Sequence, residues 1–413
     1  MGSPSPLEAS ALAGIDPAVM LARVESWAAI NSGSRNLKGL ATTADALSPA
    51  LAALGDVQRV APAAATQVGA DGVVRPLVHG DNLHLVVRPD APVRVLLTGH
   101  MDTVFPIDSP FQACRWLDAT TLNGPGTADM KGGIAVMLAA LAAFETSPFA
   151  DRLGYEIVIN SDEEVSSPGS APLLAAAAQR CHLGLTYEPA LPDGTLAGGR
   201  KGSGNFSAVV RGRAAHAGRE IEVGRNAVLA AADLALRLAA LMRSHSGVSV
   251  NPAKIDGGGP NNIVPDTAVL RFNVRPATPE GQLAVAAAID AIIAEVAAAH
   301  EVTITLDGSF ARPPKPLDAN QLRLFELVRD CGADLGLPIA WRDTGGVCDG
   351  NNLAATGLAV VDTLGPRGGA IHSHDEFLCT DSLLERAQLS ALLLMRVAQH
   401  GWVRSLSSRE LPR

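Results

Sequence analysis

Residues 93–102 read VRVLLTGHMD, six residues typical of a buried strand followed at once by a histidine and an aspartate. The pattern returns at 155–160, where YEIVIN leads into SDEE, and at 183–187, where LGLTY leads into Glu188. An apolar helical pattern over 130–144 lies between the first two runs. Strand, helix and strand at this spacing predict a mostly parallel α/β sheet with helices on both faces.

A second structural unit follows the glycine-dense sequence GGRKGSG at 198–204. Strand and helix patterns there alternate as β-α-β-α-β, and RPPKP at 312–316 marks the return of the chain. We therefore predict a larger α/β domain built from residues 1–200 and 312–413, with a smaller α+β domain of residues 201–311 inserted in it.

Charge and cysteine content exclude several classes of partner. The 413 residues carry 33 Lys and Arg against 42 Asp and Glu, a net charge of −9, so we expect no nucleic acid or membrane partner. No apolar run reaches the ~20 residues of a membrane span, and the N-terminus lacks a signal-like pattern. The five cysteines form no CxxC pair, which favours a reducing, cytoplasmic location.

Potential metal ligands follow the predicted strands or precede the predicted helix: His100, Asp102, Asp129, Glu163, Glu164 and Glu188. Taken singly, such residues are more often hydrogen-bonding or helix-capping groups than ligands. In a parallel sheet, however, the carboxyl ends of the strands meet at one edge. Carboxylates gathered there repel one another unless a cation neutralises them, so the set predicts a metal site.

The ligand types indicate which metal to expect. Imidazole with carboxylates suits zinc, and also cobalt or manganese, and the lack of clustered cysteines favours an open catalytic site over a structural one. With Asp129 as a candidate bridge, the ligands suffice for two ions about 3.5 to 4 Å apart, as in co-catalytic hydrolase sites.

At this point the sequence resembles the zinc aminoacylase and carboxypeptidase family, which includes glutamate carboxypeptidase, acetylornithine deacetylase and succinyl-diaminopimelate desuccinylase. The resemblance spans most of the chain after residue 90, and the glutamate carboxypeptidase branch is the most similar. The matching segments are GHMDTV, GPGTADMKGG, SDEEVSSPGS, YEPA, RAAHAG, NNIVPD with FNVR, and LGPRGGAIHSHDEF. The resemblance implies that the larger domain is catalytic, that the inserted one is a lid or dimerisation domain, and that the protein is a homodimer.

The resemblance also implies a ligand set for two Zn²⁺ per chain: His100 and Glu188 on one ion, Glu164 and His372 on the other, and Asp129 on both. His374 is the alternative to His372, but the acidic residue four positions on, Glu376, matches the family pattern for His372.

Two further acidic residues take supporting roles in this resemblance. Glu163 occupies the general-base position, where a carboxylate removes a proton from the attacking water and passes it to the leaving amine. Asp102 would accept a hydrogen bond from His100 and fix its tautomer.

Three residues of the inserted domain match substrate-binding positions of the family. His216 would stabilise the oxyanion, in some dimers from the partner subunit. Asn262 and Arg275 would hold the substrate carboxylate, a task suited to the planar guanidinium of arginine. From the residues alone, His216 is at best as well explained by catalysis as by a structural role, and Asn262 and Arg275 are better explained as a turn amide and a solvated charge at a strand end.

We therefore expect a dizinc hydrolase that cleaves an amide bond of a peptide or N-acyl amino acid with a free carboxylate. The alternative within the family is a biosynthetic deacylase such as acetylornithine deacetylase or succinyl-diaminopimelate desuccinylase. Outside it, a metal-dependent binding protein or a structural protein would lack turnover, and the intact Glu163 counts against the former.

Overall fold

The computed structural model describes residues 2–403. Within them the α-helices are, in chain order, α1 (Pro6–Leu12), α2 (Pro17–Ala28), α3 (Leu37–Ala52), α4 (Gly133–Glu145), α5 (Ala171–Arg180), α6 (Ala227–Ser244), α7 (Pro279–His300), α8 (Ala319–Asp334), α9 (Asp349–Ala355) and α10 (Ser382–His400). A π-helical turn, Thr127–Gly132, precedes α4. The expected helix over 130–144 begins later because Asp129 and Met130 have non-helical backbone angles.

The strands of the first half of the chain are β1 (Val57–Val60), β2 (Ala65–Val68), β3 (Val74–Leu77), β4 (Asn82–Val87), β5 (Val93–His100), β6 (Arg115–Trp116), β7 (Thr121–Asn123), β8 (Leu153–Asn160), β9 (Leu183–Thr186) and β10 (Leu196–Arg200). Those that follow are β11 (Ser203–Arg211), β12 (Ser249–Gly257), β13 (Thr267–Arg275), β14 (Thr303–Arg312), β15 (Trp341–Thr344), β16 (Ala359–Val361), β17 (Gly368–Gly369) and β18 (Phe377–Cys379).

The main sheet has six strands in the order β1-β4-β8-β5-β9-β16. Strands β8, β5, β9 and β16 are mutually parallel, while β4 pairs antiparallel with both β1 and β8. The predicted mostly parallel sheet is therefore confirmed.

Both faces of this sheet are covered, because successive side chains of a buried strand point to opposite faces. On β5, Val95 and Leu97 enter a large core with α2, α4 and α10. Leu96 enters a smaller core on the other face, with Leu174 of α5 and Leu353 of α9. Both faces of β5 are therefore covered, and His100 at its carboxyl end is buried as well.

Residues 203–312 build a second sheet, antiparallel and four-stranded, in the order β12-β13-β11-β14. Helices α6 and α7 contribute apolar side chains to a separate core beneath it. The predicted β-α-β-α-β pattern was wrong by one strand, because β12 was missed. β12 is an edge strand that contains Pro252 and has mostly exposed or half-buried side chains, so it carries neither the composition nor the burial of an inner strand.

Two helical segments are long and apolar enough to cross a membrane by length and composition, Thr127–Glu145 and Pro279–His300. The expectation that the chain has no such segment was wrong, since alanine-rich helices reach this hydropathy without an unbroken run of large apolar residues. The first segment is 94% buried inside the structure, as a core helix is, and the second is 17% buried.

Candidate metal centre

Three neighbouring parallel strands deliver the candidate ligands to one edge of the main sheet. His100 is the last residue of β5, Glu163 and Glu164 follow β8, and Glu188 follows β9. Because β8, β5 and β9 are adjacent, their carboxyl ends lie side by side. His100, Glu163 and Glu188 form one group of potential ligand atoms within 4.8 Å of one another.

Asp129 lies between the two histidines. Its Oδ1 is 3.0 Å from Nε2 of His100, and its Oδ2 is 3.3 Å from Nε2 of His372. The same His372 nitrogen is 3.1 Å from Oε2 of Glu164, and Nε2 of His100 is 3.7 Å from Oε2 of Glu188. The aspartate therefore turns one oxygen toward each half of the cluster.

The close approach of these buried groups shifts their pKa values. Burial and the nearby charge of Asp129 raise the pKa of Glu164 to about 7. Hydrogen bonds to Asp129 and Glu164 raise the pKa of His372 to about 11. Burial by itself lowers the pKa of His100, but its three carboxylate neighbours raise it well above the usual value. The carboxylates thus favour a positive charge at the centre of the cluster.

The donor set fits a pair of divalent cations. Two imidazoles and three carboxylates match the ligand preferences of zinc, cobalt and manganese. Among the described residues, Oε1 of Glu188 is buried without a hydrogen-bond donor, as an oxygen available to a cation would be. His100, Glu188, Asp129, Glu164 and His372 are the residues that would hold the ions.

Asp102 organises the loop after β8 as well as His100. Nδ1 of His100 is 3.0 Å from the Asp102 carbonyl oxygen and 3.4 Å from its carboxylate. The carboxylate also accepts the backbone N–H groups of Glu163 and Glu164, at 3.1 and 3.2 Å. The hydroxyl of Ser34 donates to it at 2.7 Å. One buried carboxylate thereby aligns the first histidine with the two glutamates.

Glu163 has a cationic partner that the sequence analysis missed. Arg312, whose side chain is 1% exposed, donates from Nη2 to Oε1 of Glu163 at 2.7 Å and from Nη1 to Asp349. Burial raises the pKa of Glu163 well above its usual value, and the charge of Arg312 opposes that shift. In the sequence, Arg312 lies in the proline-rich segment where the chain returns to the larger domain. Nothing in that segment indicates a residue of the site.

The substrate-binding candidates of the inserted domain lie at two different ends of its sheet. Arg275, the last residue of β13, lines the same cavity of about 810 Å³ as Glu163 and His372. His216 follows the far end of β11, and Asn262 precedes the far end of β13. The paired segment of eight residues between the two ends spans about 25 Å.

His216 and Asn262 lie next to each other at that far end. The N–H of Ala217 donates to the carbonyl oxygen of Asn262 at 2.9 Å, and His216 forms a bridge with Ile263. Neither His216 nor Asn262 lines the cavity that holds the ligand cluster. One chain therefore brings Arg275 to the cluster but leaves His216 and Asn262 apart from it.

Two other residues lie close to the centre, the alternative ligand His374 and the cavity-lining Cys348. The ring of His374 stacks on that of Phe111, with centroids 5.5 Å apart, while His372 contacts the cluster. Cys348 is buried, and its thiol accepts the N–H of Gly350 at the start of α9.

Comparison with known proteins places this geometry in context. The chain matches the model of Peptidase family M20/M25/M40 over residues 96–396. Carboxypeptidase G2 of Pseudomonas sp. (strain RS-16) is 29% identical over 325 residues, 77% of either chain. Succinyl-diaminopimelate desuccinylase of Pseudoalteromonas translucida (strain TAC 125) is 27% identical over 277 residues, 64% of this chain and 72% of the relative.

The fold is also similar to a solved structure of low sequence identity. The YXEP protein of Bacillus subtilis, a dinuclear metal binding peptidase from the M20 family, superposes with a TM-score of 0.62 at 15% identity. The match covers 93% of this chain and 98% of that one.

Proposed function

The chain belongs to peptidase family M20/M25/M40 and is a metal-dependent amide hydrolase, and from this premise we propose that it is a dizinc, glutamate carboxypeptidase-like enzyme. Its substrate would be a peptide or N-acyl amino acid with a free carboxylate, cleaved at the amide bond next to that residue. The observation that carries the dinuclear proposal is Asp129, which directs separate oxygens at His100 and His372.

The two cations, when bound, supply Lewis acidity toward the substrate carbonyl and make the attacking water more acidic. The protein's own contribution begins with Glu163, which takes the proton of that water and later delivers it to the departing amine nitrogen. Arg312 keeps the Glu163 carboxylate directed into the cavity during both transfers. Asp102 holds His100 and the backbone of the two glutamates in place.

The charge around the cavity supports an anionic substrate. Arg200 and Lys315 share a single carboxylate, that of Asp362, at 2.8 Å each, and Arg200 lines the cavity. Arg275 and Arg342 also line it. Opposite charge of this kind attracts a carboxylate and contributes to its orientation.

The positions of His216 and Asn262 support a homodimer formed through the inserted domain. Because both lie about 25 Å from the end of the sheet that faces the cluster, a second copy of the chain is the simplest source of this pair. His216 of the partner subunit would then stabilise the oxyanion that forms when water attacks the carbonyl.

A side-by-side rate comparison tests the proposed substrate class. We expect zinc-loaded protein to hydrolyse N-acyl-glutamate and dipeptides with a free carboxylate faster than the same compounds amidated at that carboxylate. Faster hydrolysis of acetylornithine or succinyl-diaminopimelate would assign the enzyme to the biosynthetic deacylases instead. Measurement of kcat/KM for each compound under one set of conditions decides between them.

A further inference from the structure

Glu376 places a buried carboxylate at the loop that carries Asp129. The residue is 1% exposed. Its Oε1 accepts the backbone N–H groups of Ala128 and Asp129, both at 3.0 Å, and its Oε2 accepts the N–H of Gly126 at 3.1 Å. A single carboxylate therefore accepts hydrogen bonds from three backbone N–H groups within a stretch of four residues.

These N–H groups have few other acceptors within reach. They lie at the start of the π-helical turn before α4, where the first backbone donors of a helix have no partner inside the helix. The non-helical angles of Asp129 and Met130 also interrupt the backbone hydrogen-bond ladder at this point. Without Glu376, buried donors next to Asp129 would stay unsatisfied, and the loop would have to move to satisfy them.

A second set of contacts ties the same two segments together. The side-chain amide of Asn123 donates to the carbonyl oxygens of His374 and Glu376, at 3.1 and 2.7 Å. Asn123 also ends β7, which pairs with β18 immediately after Glu376. The loop that bears Asp129 and the loop that bears His372 thus meet at Glu376, four residues after the histidine.

We propose that Glu376 is a positioning residue that sets the separation of Asp129 and His372, so that both can bind one cation. This inference rests on the proposed metal centre. A carboxylate suits the task because both of its oxygens can accept hydrogen bonds, and the three N–H groups use both of them. A glutamine of the same size would turn an NH₂ group toward one of the three N–H donors and open the loop there.

The test compares Glu376→Gln with Glu156→Gln, which removes a buried carboxylate on β8 that pairs with His84 and Arg180 away from the cluster. Each protein is stripped of metal, its Tm is measured, and ZnCl₂ is titrated in competition with a chromophoric chelator. We expect Glu376→Gln to bind zinc about 10- to 100-fold more weakly than wild type. Its metal-free Tm should fall no further than that of Glu156→Gln, which should bind zinc as wild type does.

The outcomes separate this proposal from the one on which it rests. If wild-type protein binds no zinc, the metal centre itself is wrong. If wild type binds zinc and the zinc Kd of Glu376→Gln is within twofold of the wild-type Kd, only the role of Glu376 is wrong. A much larger fall in metal-free Tm than in the control would show a general structural role and would also overturn the proposal.

Hydrogen exchange of the wild-type protein keeps the proposal testable should Glu376→Gln fail to fold. In the metal-free protein, we expect the amides of Gly126, Ala128 and Asp129 to exchange slowly, because a buried carboxylate holds them. Mass spectrometry of peptides covering this loop measures the rates. Exchange as fast as that of an exposed loop would contradict the proposed hold on Asp129.

Discussion

Nη2 of Arg312 lies 2.7 Å from Oε1 of Glu163 and 3.0 Å from the carbonyl oxygen of the same residue. Arg312 is itself held by Asp349, which also accepts hydrogen bonds from Asn160 and Ser167 at 2.7 and 2.6 Å. The proposed base therefore has a fixed direction, set by a buried network, before any substrate arrives. Such a base loses little orientational freedom when the reaction begins.

The first prediction separates the base from the neighbouring ligand. Glu163→Gln keeps the acceptor oxygen that faces Arg312 and all five proposed ligands, so zinc content should stay near that of wild type. The loss of the carboxylate as base, and then as acid, should lower kcat by about 10²- to 10⁴-fold or more. Zinc stoichiometry and kcat are measured on the same samples.

Glu164→Gln is the matched comparison, since it makes the same chemical change one residue later. Replacing an anionic ligand by a neutral amide should release zinc as well as activity, and added zinc should restore part of the rate. If Glu163→Gln loses metal while Glu164→Gln retains it, Glu163 is the ligand and Glu164 is the base. Near-normal turnover of Glu163→Gln would contradict the mechanism altogether.

The second prediction concerns metal content. Because five ligands are divided between two positions that share Asp129, fully active protein should contain about two zinc ions per chain. Chelation should abolish hydrolysis, and zinc should restore it. Elemental analysis of fully active protein with one metal per chain, or none, would refute the dinuclear centre.

The sequence predicted the parts of the centre that depend on local pattern. The buried strands that end at His100 and shortly before Glu163 and Glu188 are visible as short apolar runs, and the rule that parallel strands share an edge brings these residues together. Arg312 could not be found in this way. Its contact with Glu163 joins residues 149 positions apart, and neither residue stands in a periodic pattern that points to the other.

The location of His216 could not be predicted from the sequence, for a related reason. Motif order shows that His216 and Arg275 belong to one domain, but only the antiparallel register shows that they lie at opposite ends of it. Arg275 already lines the cavity in the structure described here.

The third prediction addresses Arg275. Its Nε donates to Asn273 at 3.1 Å and its Nη1 to the Gly345 carbonyl at 2.8 Å, and the second hydrogen of Nη1 together with Nη2 can still form two parallel bonds to a carboxylate. Arg275→Lys should lower kcat/KM about tenfold or more for a substrate with a free carboxylate, because lysine lacks the planar fork. For the amidated substrate, both proteins should be equally poor. The same ratio of acid to amide rates in wild type and variant would exclude this role.

The fourth prediction concerns stability. Asp362 is fully buried between Arg200 and Lys315, so Asp362→Asn leaves two buried cations uncompensated. Breaking a buried pair in this way should lower the free energy of unfolding by about 3–5 kcal/mol. Denaturant unfolding measures it, with Asp381→Asn as the control, because the pair of Asp381 with Arg367 is partly exposed and is worth about 0–1 kcal/mol.

The stabilisation from Asp362 also has a predictable pH dependence. Burial opposes ionisation, but the two cations prevail and lower the pKa of Asp362 below its usual value. A carboxylate with a lowered pKa in the folded state stabilises the protein at neutral pH, and this stabilisation is lost as the pH falls through that lowered value. The difference in stability between wild type and Asp362→Asn should therefore shrink in acid. A difference that grows on acidification would contradict the assignment.

The last prediction tests whether His216 acts on the partner's metal centre. His216→Ala and Glu163→Gln should each be nearly inactive alone. In a mixed dimer, one site combines an intact Glu163 with His216 of the partner subunit, whereas the other site lacks both groups. Random mixing makes about half of the dimers mixed, so equal amounts of the two variants should recover about a quarter of wild-type activity. The variants are unfolded and refolded together or co-expressed, and kcat is compared with that of separately treated samples. If His216 served its own chain, no combination would contain a complete site, and mixing would restore nothing.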